Sequence, residues 1–250
     1  METVTKSEKM WDKKAESYPR YNPSKDTFEA KIIEMIKERG VPLSGSSILD
    51  VGCGSGKFSI ALAKECGSLH GIDISGVMLR ILQEDALAEG VDNITTEKTG
   101  WEEFEGKGDT YDIVFCSTTP AVREPEAYQA VHGMARKAVV YLGWAGRKES
   151  DVSIAACRHF GIEQKDFNDT TDLKKWLDEQ GIEYQADVIE NEFSRTEPVS
   201  GAVETIRGTV GYMGIKATEQ DIEAILKGMV KDGEVTDRHY FRRELIIWGK

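Results

Sequence analysis

The chain has 250 residues, 40% apolar and 30% charged, with only 6 prolines, which fits an ordinary globular protein and excludes a disordered or collagen-like one. Its 32 basic and 44 acidic residues leave a net charge of −12, a field that disfavours nucleic acid and anionic membrane as partners. No apolar run approaches the ~20 residues that span a bilayer, the opening residues lack the apolar core of a secretory signal, and Cys53, Cys66, Cys116 and Cys157 show no disulfide or metal spacing, so a cytoplasmic protein with reduced thiols and no metal is expected.

Strand and helix signals alternate along the chain. A lead-in rich in aromatics and charge (MWDKKAESYPRYNP) precedes residues 27–39, where Phe28, Ile32, Ile33, Met35 and Ile36 recur at helical spacing until Gly40 and Pro42 stop them. A short apolar strand follows at 46–51, then a helix at 59–66, a strand at 69–74, a helix at 76–89 closed by Gly90, and a weaker strand at 91–97. Strong strands stand at 111–116 (YDIVFC) and 138–144 (AVVYLGW). Apolar strands of this kind between helices predict a parallel sheet covered on both faces. Beyond a helix at 172–180, strands at 183–193 and 240–248 flank helical patterning at 201–212 and 218–230. The whole chain reads as a single domain, 1–250, with an N-terminal helical cover over 1–45 and a helical insertion over 198–233 that is long enough to serve as a lid.

Residues 48–58 (ILDVGCGSGKF) run a strand into glycines at 52, 54 and 56, with a helix following. Glycines there permit positive φ and let a ligand touch bare backbone, while the helix offers free N–H groups and a positive dipole end. A dinucleotide fingerprint started at Gly52 fails because Lys57 stands where its last glycine belongs. A phosphate loop ending at Gly56-Lys57 fails at Val51 and Phe58.

The pattern D-x-G-x-G-x-G at 50–56 does fit, and it resembles the glycine-rich loop of the class I S-adenosylmethionine-dependent methyltransferases over about residues 48–146. Asp73, 17 residues beyond Gly56 at the tip of the second strand, strengthens the likeness. The resemblance implies a Rossmann-like, doubly wound, mostly parallel seven-stranded sheet with an antiparallel edge strand. It implies that Gly52, Gly54 and Gly56 lay backbone against the methionine and ribose parts of the cofactor S-adenosylmethionine, with Cys53 between them. Asp50 would bond loop amides or a water near the cofactor's amino group. Asp73, with Ile74 beside it, would accept both ribose hydroxyls, two acceptor oxygens being what a carboxylate presents.

Relatives carry Asp where this chain has Gly100; here Trp101 would pack on the adenine face and Glu102 supply an acceptor, or Trp101 is simply core. After the fourth strand the run Cys116, Ser117, Thr118, Thr119, Pro120 and Ala121 would face the methyl group, and Ser117 and Thr118 either position a substrate or cap the next helix. The Asn/Asp-Pro-Pro-Tyr signature of nitrogen-directed relatives is absent, which argues against adenine and glutamine targets. In the lead-in, Tyr18 and Tyr21 are candidates to meet the methionine carboxylate, against a helix merely packed on the sheet. None of His70, His132, His159 and His239 stands in a pattern that marks a base.

An activated sulfonium methyl needs its acceptor held in line, about 3–3.5 Å away, in a dry site. The expected function is therefore methyl transfer to a small molecule, with Ser117, Thr118 and Tyr21 as catalytic candidates and Glu204, Arg207, Tyr212 and Met213 of the insertion lining the pocket. Transfer to tRNA or protein and cofactor binding without transfer stay open. The strip 238–243 (RHYFRR) reads as an edge strand with a positive solvent face. Oligomeric state is not legible.

Overall fold

The computed structural model describes residues 5–105, 108–163, 167–211 and 213–250. The first half runs α1 (Lys6–Ala15), α2 (Phe28–Glu38), β1 (Ser47–Val51), α3 (Lys57–Ala63), β2 (Ser68–Asp73), α4 (Gly76–Ala88), β3 (Ile94–Lys98), α5 (Trp101–Phe104), β4 (Tyr111–Ser117) and α6 (Pro125–Met134). There follow β5 (Ala135–Ser150), α7 (Asp151–Phe160), β6 (Phe167–Asn168), α8 (Thr170–Gln180), β7 (Tyr184–Pro198), α9 (Val199–Gly211), α10 (Glu219–Leu226), β8 (Val230–Lys231) and β9 (Glu234–Gly249).

Local chemistry explains most boundaries. The Thr27 hydroxyl accepts from Ala30 N and starts α2, whose Ile32, Ile33 and Ile36 turn inward; each such isoleucine contributes about 2 kcal/mol by leaving water. Ser75 caps α4 through Met78 N. Capping boxes open α7 (Ser150 with Ser153) and α10 (Thr218 with Asp221), each satisfying two end groups at once.

The sheet follows the order β3-β2-β1-β4-β5-β9-β7. Pairings β3–β2, β2–β1, β1–β4 and β4–β5 are all parallel, with Val51 opposite Ile72 on one side and Cys116 on the other. The fold is therefore the expected Rossmann-like α/β arrangement. The seven-stranded expectation is corrected to nine strands: β6 pairs antiparallel with β5, and β8 antiparallel with β9. Strands of two residues leave no periodicity to read.

The chain divides into two compact units. The first comprises residues 1–143, 170–187 and 245–250, and its core packs Leu49, Val51, Val114, Tyr128, Tyr141, Leu177 and Trp248 together. The second comprises 144–169 and 188–244, and its core joins α7, α9 and α10 through Val152, Ala156, Ala202, Ile206, Val210 and Ile225. In the first unit the strand order reverses between β1 and β4, a switch point at whose carboxyl ends ligands bind in open α/β sheets.

Candidate functional site

Three strand tips meet at that switch point, and the chain between β1 and α3 turns over them. Gly52 has φ +72°, which an L side chain rarely adopts. A Cβ there would also collide with the Thr119 hydroxyl and lie 2.9 Å from the Thr119 Cβ. The Gly52 and Cys53 amides donate to Ile72 O at 2.9 and 3.0 Å, which lashes the turn to β2. Gly56, at φ +80°, is the N-cap of α3 and leaves no room for a side chain against Leu82. Gly54 differs: its φ is +54°, and a Cβ would meet nothing within 4 Å. The turn thus has two glycines demanded by packing and one that faces open space.

Asp73 holds this turn from β2. Its Oδ2 accepts from Gly54 N at 3.0 Å and its Oδ1 from Ser75 N at 2.8 Å. Each carboxylate oxygen has a second acceptor position left. Burial pushes the Asp73 carboxyl above its ordinary value, while the Ser75 and Gly54 amides pull it back and the charge of Asp12 adds to the rise. Below it, Asp50 is buried at the end of β1 and accepts from the Ser59 hydroxyl at 2.6 Å. Burial raises Asp50 to about 7, with Ser59 opposing and the Asp73 charge reinforcing the shift. Cys53 and Cys116 are pushed well above the usual thiol range by burial, so neither is a thiolate nucleophile. The Cys116 side chain is fully buried in the core, while Cys53 lies against Gly71.

The lead-in closes on this turn. The Ser55 hydroxyl donates to Pro19 O at 2.9 Å, and Ser75 donates to Asp12 Oδ1, on α1, at 2.6 Å. Tyr18 is exposed and sits edge-on to Trp11. The Tyr21 hydroxyl accepts from Lys64 Nζ at 3.2 Å, and its ring joins Ile60, Leu82 and Ala86. Cys53 packs against the same cluster, and Leu82 of that cluster abuts Gly56.

Around the β3 and β4 tips, Trp101 begins α5 and is buried with Phe104, yet its Nε1 has no hydrogen-bond partner among the described residues. Glu102 is exposed, and Ile74, half-buried, lies under Gly100. Ser117 ends β4 opposite Leu142. Thr118 takes φ +47°, an uncommon conformation for a β-branched residue, and donates its amide to Leu142 O at 2.7 Å. Thr119, buried, accepts from Ala121 N and abuts Gly52.

The site so built is a bare-backbone turn, two stacked acids and an orphaned indole donor at a sheet switch point. Residues 48–138 match the family described as "Methyltransferase domain". Over those residues the chain is similar to S-adenosylmethionine-dependent methyltransferases.

Among curated relatives, the chain is 30% identical over 128 residues to the ubiquinone biosynthesis O-methyltransferase of Salmonella typhi, a match that covers 50% of each chain. It is 32% identical over 108 residues to that of Cronobacter sakazakii, covering 42% of each. The match spans about half the length of these relatives. Among solved structures, magnesium protoporphyrin IX methyltransferase of Synechocystis PCC 6803, with bound SAH, aligns over 98% of this chain and 95% of its own, with TM-score 0.55 and 15% identity, a likeness of fold.

The second unit holds the remaining candidates. Glu204 and Arg207 lie exposed on α9, whose inward face is Ala202, Ile206 and Val210, and Met213 is exposed as well. Tyr212 lies outside the described residues. The histidines are mostly engaged in packing. His70 stacks on Phe104 and Tyr111, His132 accepts from Trp248 Nε1, and His159 meets Asp221 at 2.9 Å. A surface cavity of about 360 Å³ in the first unit, bordered by Arg39, Pro42, Lys137, Tyr184 and Trp248, shares no residue with the glycine turn. Among the described residues no cluster of His, Cys, Asp or Glu could hold a metal ion, and no helix is long and apolar enough to cross a membrane.

Sequence reasoning overlooked Ser59, Ser75 and Asp12. Ser75 was findable, standing just before an apolar helical run where a cap belongs; the others come from tertiary contacts with no local signal.

Proposed function

We propose that the protein transfers a methyl group from S-adenosylmethionine to a small-molecule acceptor. The observation that carries this reading is the pairing of an open left-handed glycine, Gly54, with a carboxylate, Asp73, that already fixes the Gly54 amide and keeps acceptor capacity. The residues present fit the cofactor: a cradle that a Cβ would fill, an acid for a ribose diol, and the orphaned Trp101 donor for an acceptor-rich base. When bound, S-adenosylmethionine supplies a methyl already activated on a sulfonium.

The chain's own part is to bind, orient and exclude water. Gly52, Gly54 and Gly56 present backbone, Asp73 with Ile74 beside it holds the ribose, and Asp50 braces the turn through Ser59. Trp101 and Glu102 border the base. Ser117 and Thr118, at the β4 tip, orient the acceptor. The lead-in, tied down through Ser55 and Ser75, covers the cofactor, with Tyr18 its aromatic candidate.

A small-molecule acceptor is supported by the curated relatives, which are named as acting in ubiquinone biosynthesis. It is also supported by the neutralised basic strip: Arg238 pairs with Asp151 and Glu192, and Arg242 with Glu190, leaving little charge for a polyanion. A cytoplasmic protein with no nucleic-acid or membrane partner accords with the net charge. A crystal grown with S-adenosylhomocysteine tests the reading. Its ribose is expected on Asp73, with an enclosed cavity facing the sulfur. An open groove at that face would refute the small-molecule acceptor, and a ligand seated away from Gly54 would refute the site.

A further inference from the structure

Asp50 stands near the end of β1 in surroundings that give a negative charge little support. Its register partners are Gly71 on β2, which has no side chain, and Phe115 on β4, which is buried. Paired residues of parallel strands share one face, so the Phe115 ring borders the acid, and Phe58 of α3 packs on that ring with centroids 5.3 Å apart. The Cys53 side chain takes the space above Gly71, where an added Cβ would lie 3.0 Å from its Sγ. Asp50 is 2% exposed, and the Ser59 hydroxyl of α3 is the one hydrogen-bond donor it receives among the described residues. All of these residues belong to the first unit.

The charged and titratable groups around Asp50 disfavour its ionisation further. From the tip of β2 comes Asp73, a second carboxylate whose charge opposes its own. The Cys53 thiol of the turn and the Cys116 thiol of β4 also feel the Asp50 charge, and burial keeps both of them protonated. Lys57, at the start of α3, is committed to Glu29 of α2. Among the described residues, the groups that act on Asp50 thus include an acid and no cation. Burial holds the Asp50 carboxyl at about 7, so acid and carboxylate are nearly balanced at neutral pH. An opposite charge within about 6 Å lowers a carboxyl's pKa by about one unit or more, which is enough to tip that balance.

We propose that Asp50 is the residue by which the protein tells a sulfonium cofactor from its thioether product, giving up a proton when the cation binds and keeping it when the neutral product binds. The inference rests on the methyl-transfer reading, because that reaction removes one positive charge from the ligand at the turn that follows Asp50. One positive charge enters, the Asp50 O–H bond breaks, and its proton leaves to solvent, so the net charge of the site is unchanged. After transfer Asp50 is again a buried carboxylate beside Asp73 with no counter-charge, and it takes a proton back from solvent. Cofactor binding therefore strengthens as pH rises through neutrality, and product binding does not. The two ligands carry the same nucleoside, so whatever they require of Asp73 cancels in the comparison.

Titration calorimetry of the full chain at pH 6, run in two buffers of different ionisation enthalpy, counts the protons exchanged on binding S-adenosylmethionine and S-adenosylhomocysteine. With Asp50 about nine-tenths protonated at that pH, the cofactor is expected to release most of one proton more than the product does. From pH 6 to pH 7 the cofactor's affinity relative to the product's is expected to rise about fivefold. Asp50→Asn, which keeps a side-chain oxygen for Ser59, should erase both differences. Ser59→Ala removes the donor that favours the carboxylate, so it should move the rise in affinity to higher pH and assigns the proton independently. Equal proton counts for the two ligands in the wild type overturn the proposal. So does a proton difference that survives in Asp50→Asn, or a pH profile that Ser59→Ala leaves in place. Saturable binding of both ligands without a proton difference defeats this inference and leaves the methyl-transfer reading standing, whereas binding of neither ligand defeats both.

Discussion

Alanine at Gly54 and alanine at Gly52 should behave oppositely, although the two glycines are neighbours in one turn. At Gly54 the structure demands only φ +54°, and an added Cβ meets nothing within 4 Å. The stability cost is then the left-handed conformation alone, about 1–2 kcal/mol. At Gly52 the same conformational cost applies at φ +72°, and the Cβ also strikes buried Thr119, 2.9 Å from its Cβ. Overpacking of that kind adds about 1–3 kcal/mol, for a total of about 2–5 kcal/mol. Urea unfolding should therefore rank Gly52→Ala well below Gly54→Ala in stability. Titration calorimetry with S-adenosylhomocysteine should separate them in another way. The methyl of Gly54→Ala stands in the space a ligand needs, so its affinity falls at least about tenfold although the fold is nearly intact. The reasoning fails if Gly54→Ala binds as tightly as the wild type, or if Gly52→Ala is no less stable than Gly54→Ala.

Three further outcomes follow from the same geometry. Because burial holds Asp50 at about 7, above its ordinary 3.8, the folded state binds that proton more tightly than the unfolded state. Its favourable contribution is complete below about pH 4 and disappears as pH rises toward 7, so Asp50→Asn should gain stability relative to the wild type near pH 8, by at most about 4 kcal/mol. Urea midpoints across pH check this, and an unchanged difference at all pH values contradicts it. His132 runs the other way: burial, with Lys250, lowers its pKa below 6.5, and its neutral ring accepts from Trp248. That contribution is present above about pH 6.5 and is lost as pH falls, so acid should destabilise the wild type more than His132→Asn when unfolding is followed by tryptophan fluorescence. Thr118→Gly should relieve the strain at φ +47° and raise stability by up to about 1 kcal/mol; a lowered melting temperature would mean that the side chain's packing outweighs the strain.

Much of the first unit was legible because its signals are local. D-x-G-x-G-x-G between a strand and a helix, with Asp73 at the next strand tip, specifies a turn and its anchor within 24 residues, and the structure joins them through the Gly54 amide. Polar ends hid the true extent of the long strands: β5 was expected at 138–144 and runs Ala135–Ser150. Tyr21 illustrates the limit on side chains, since proximity in sequence to the lead-in could not reveal that Lys64 would claim its hydroxyl. The strip 238–243 reads as uniformly basic, but His239 of that strip meets buried Asp237 just before it, a contact that only the folded strand reveals. The division into two units was equally hidden, because β5, β7 and β9 each contribute residues to both.

Everything assigned to the first unit depends on Asp73 and the turn it holds gripping a sulfonium nucleoside. Titration calorimetry of S-adenosylhomocysteine into the wild type and into Asp73→Ala decides it. The account requires saturable one-site binding to the wild type and a loss of at least about a hundredfold in the variant, as expected when a charged acceptor for two hydroxyls is removed. Equal affinity in the two proteins, or no binding to the wild type, would contradict it.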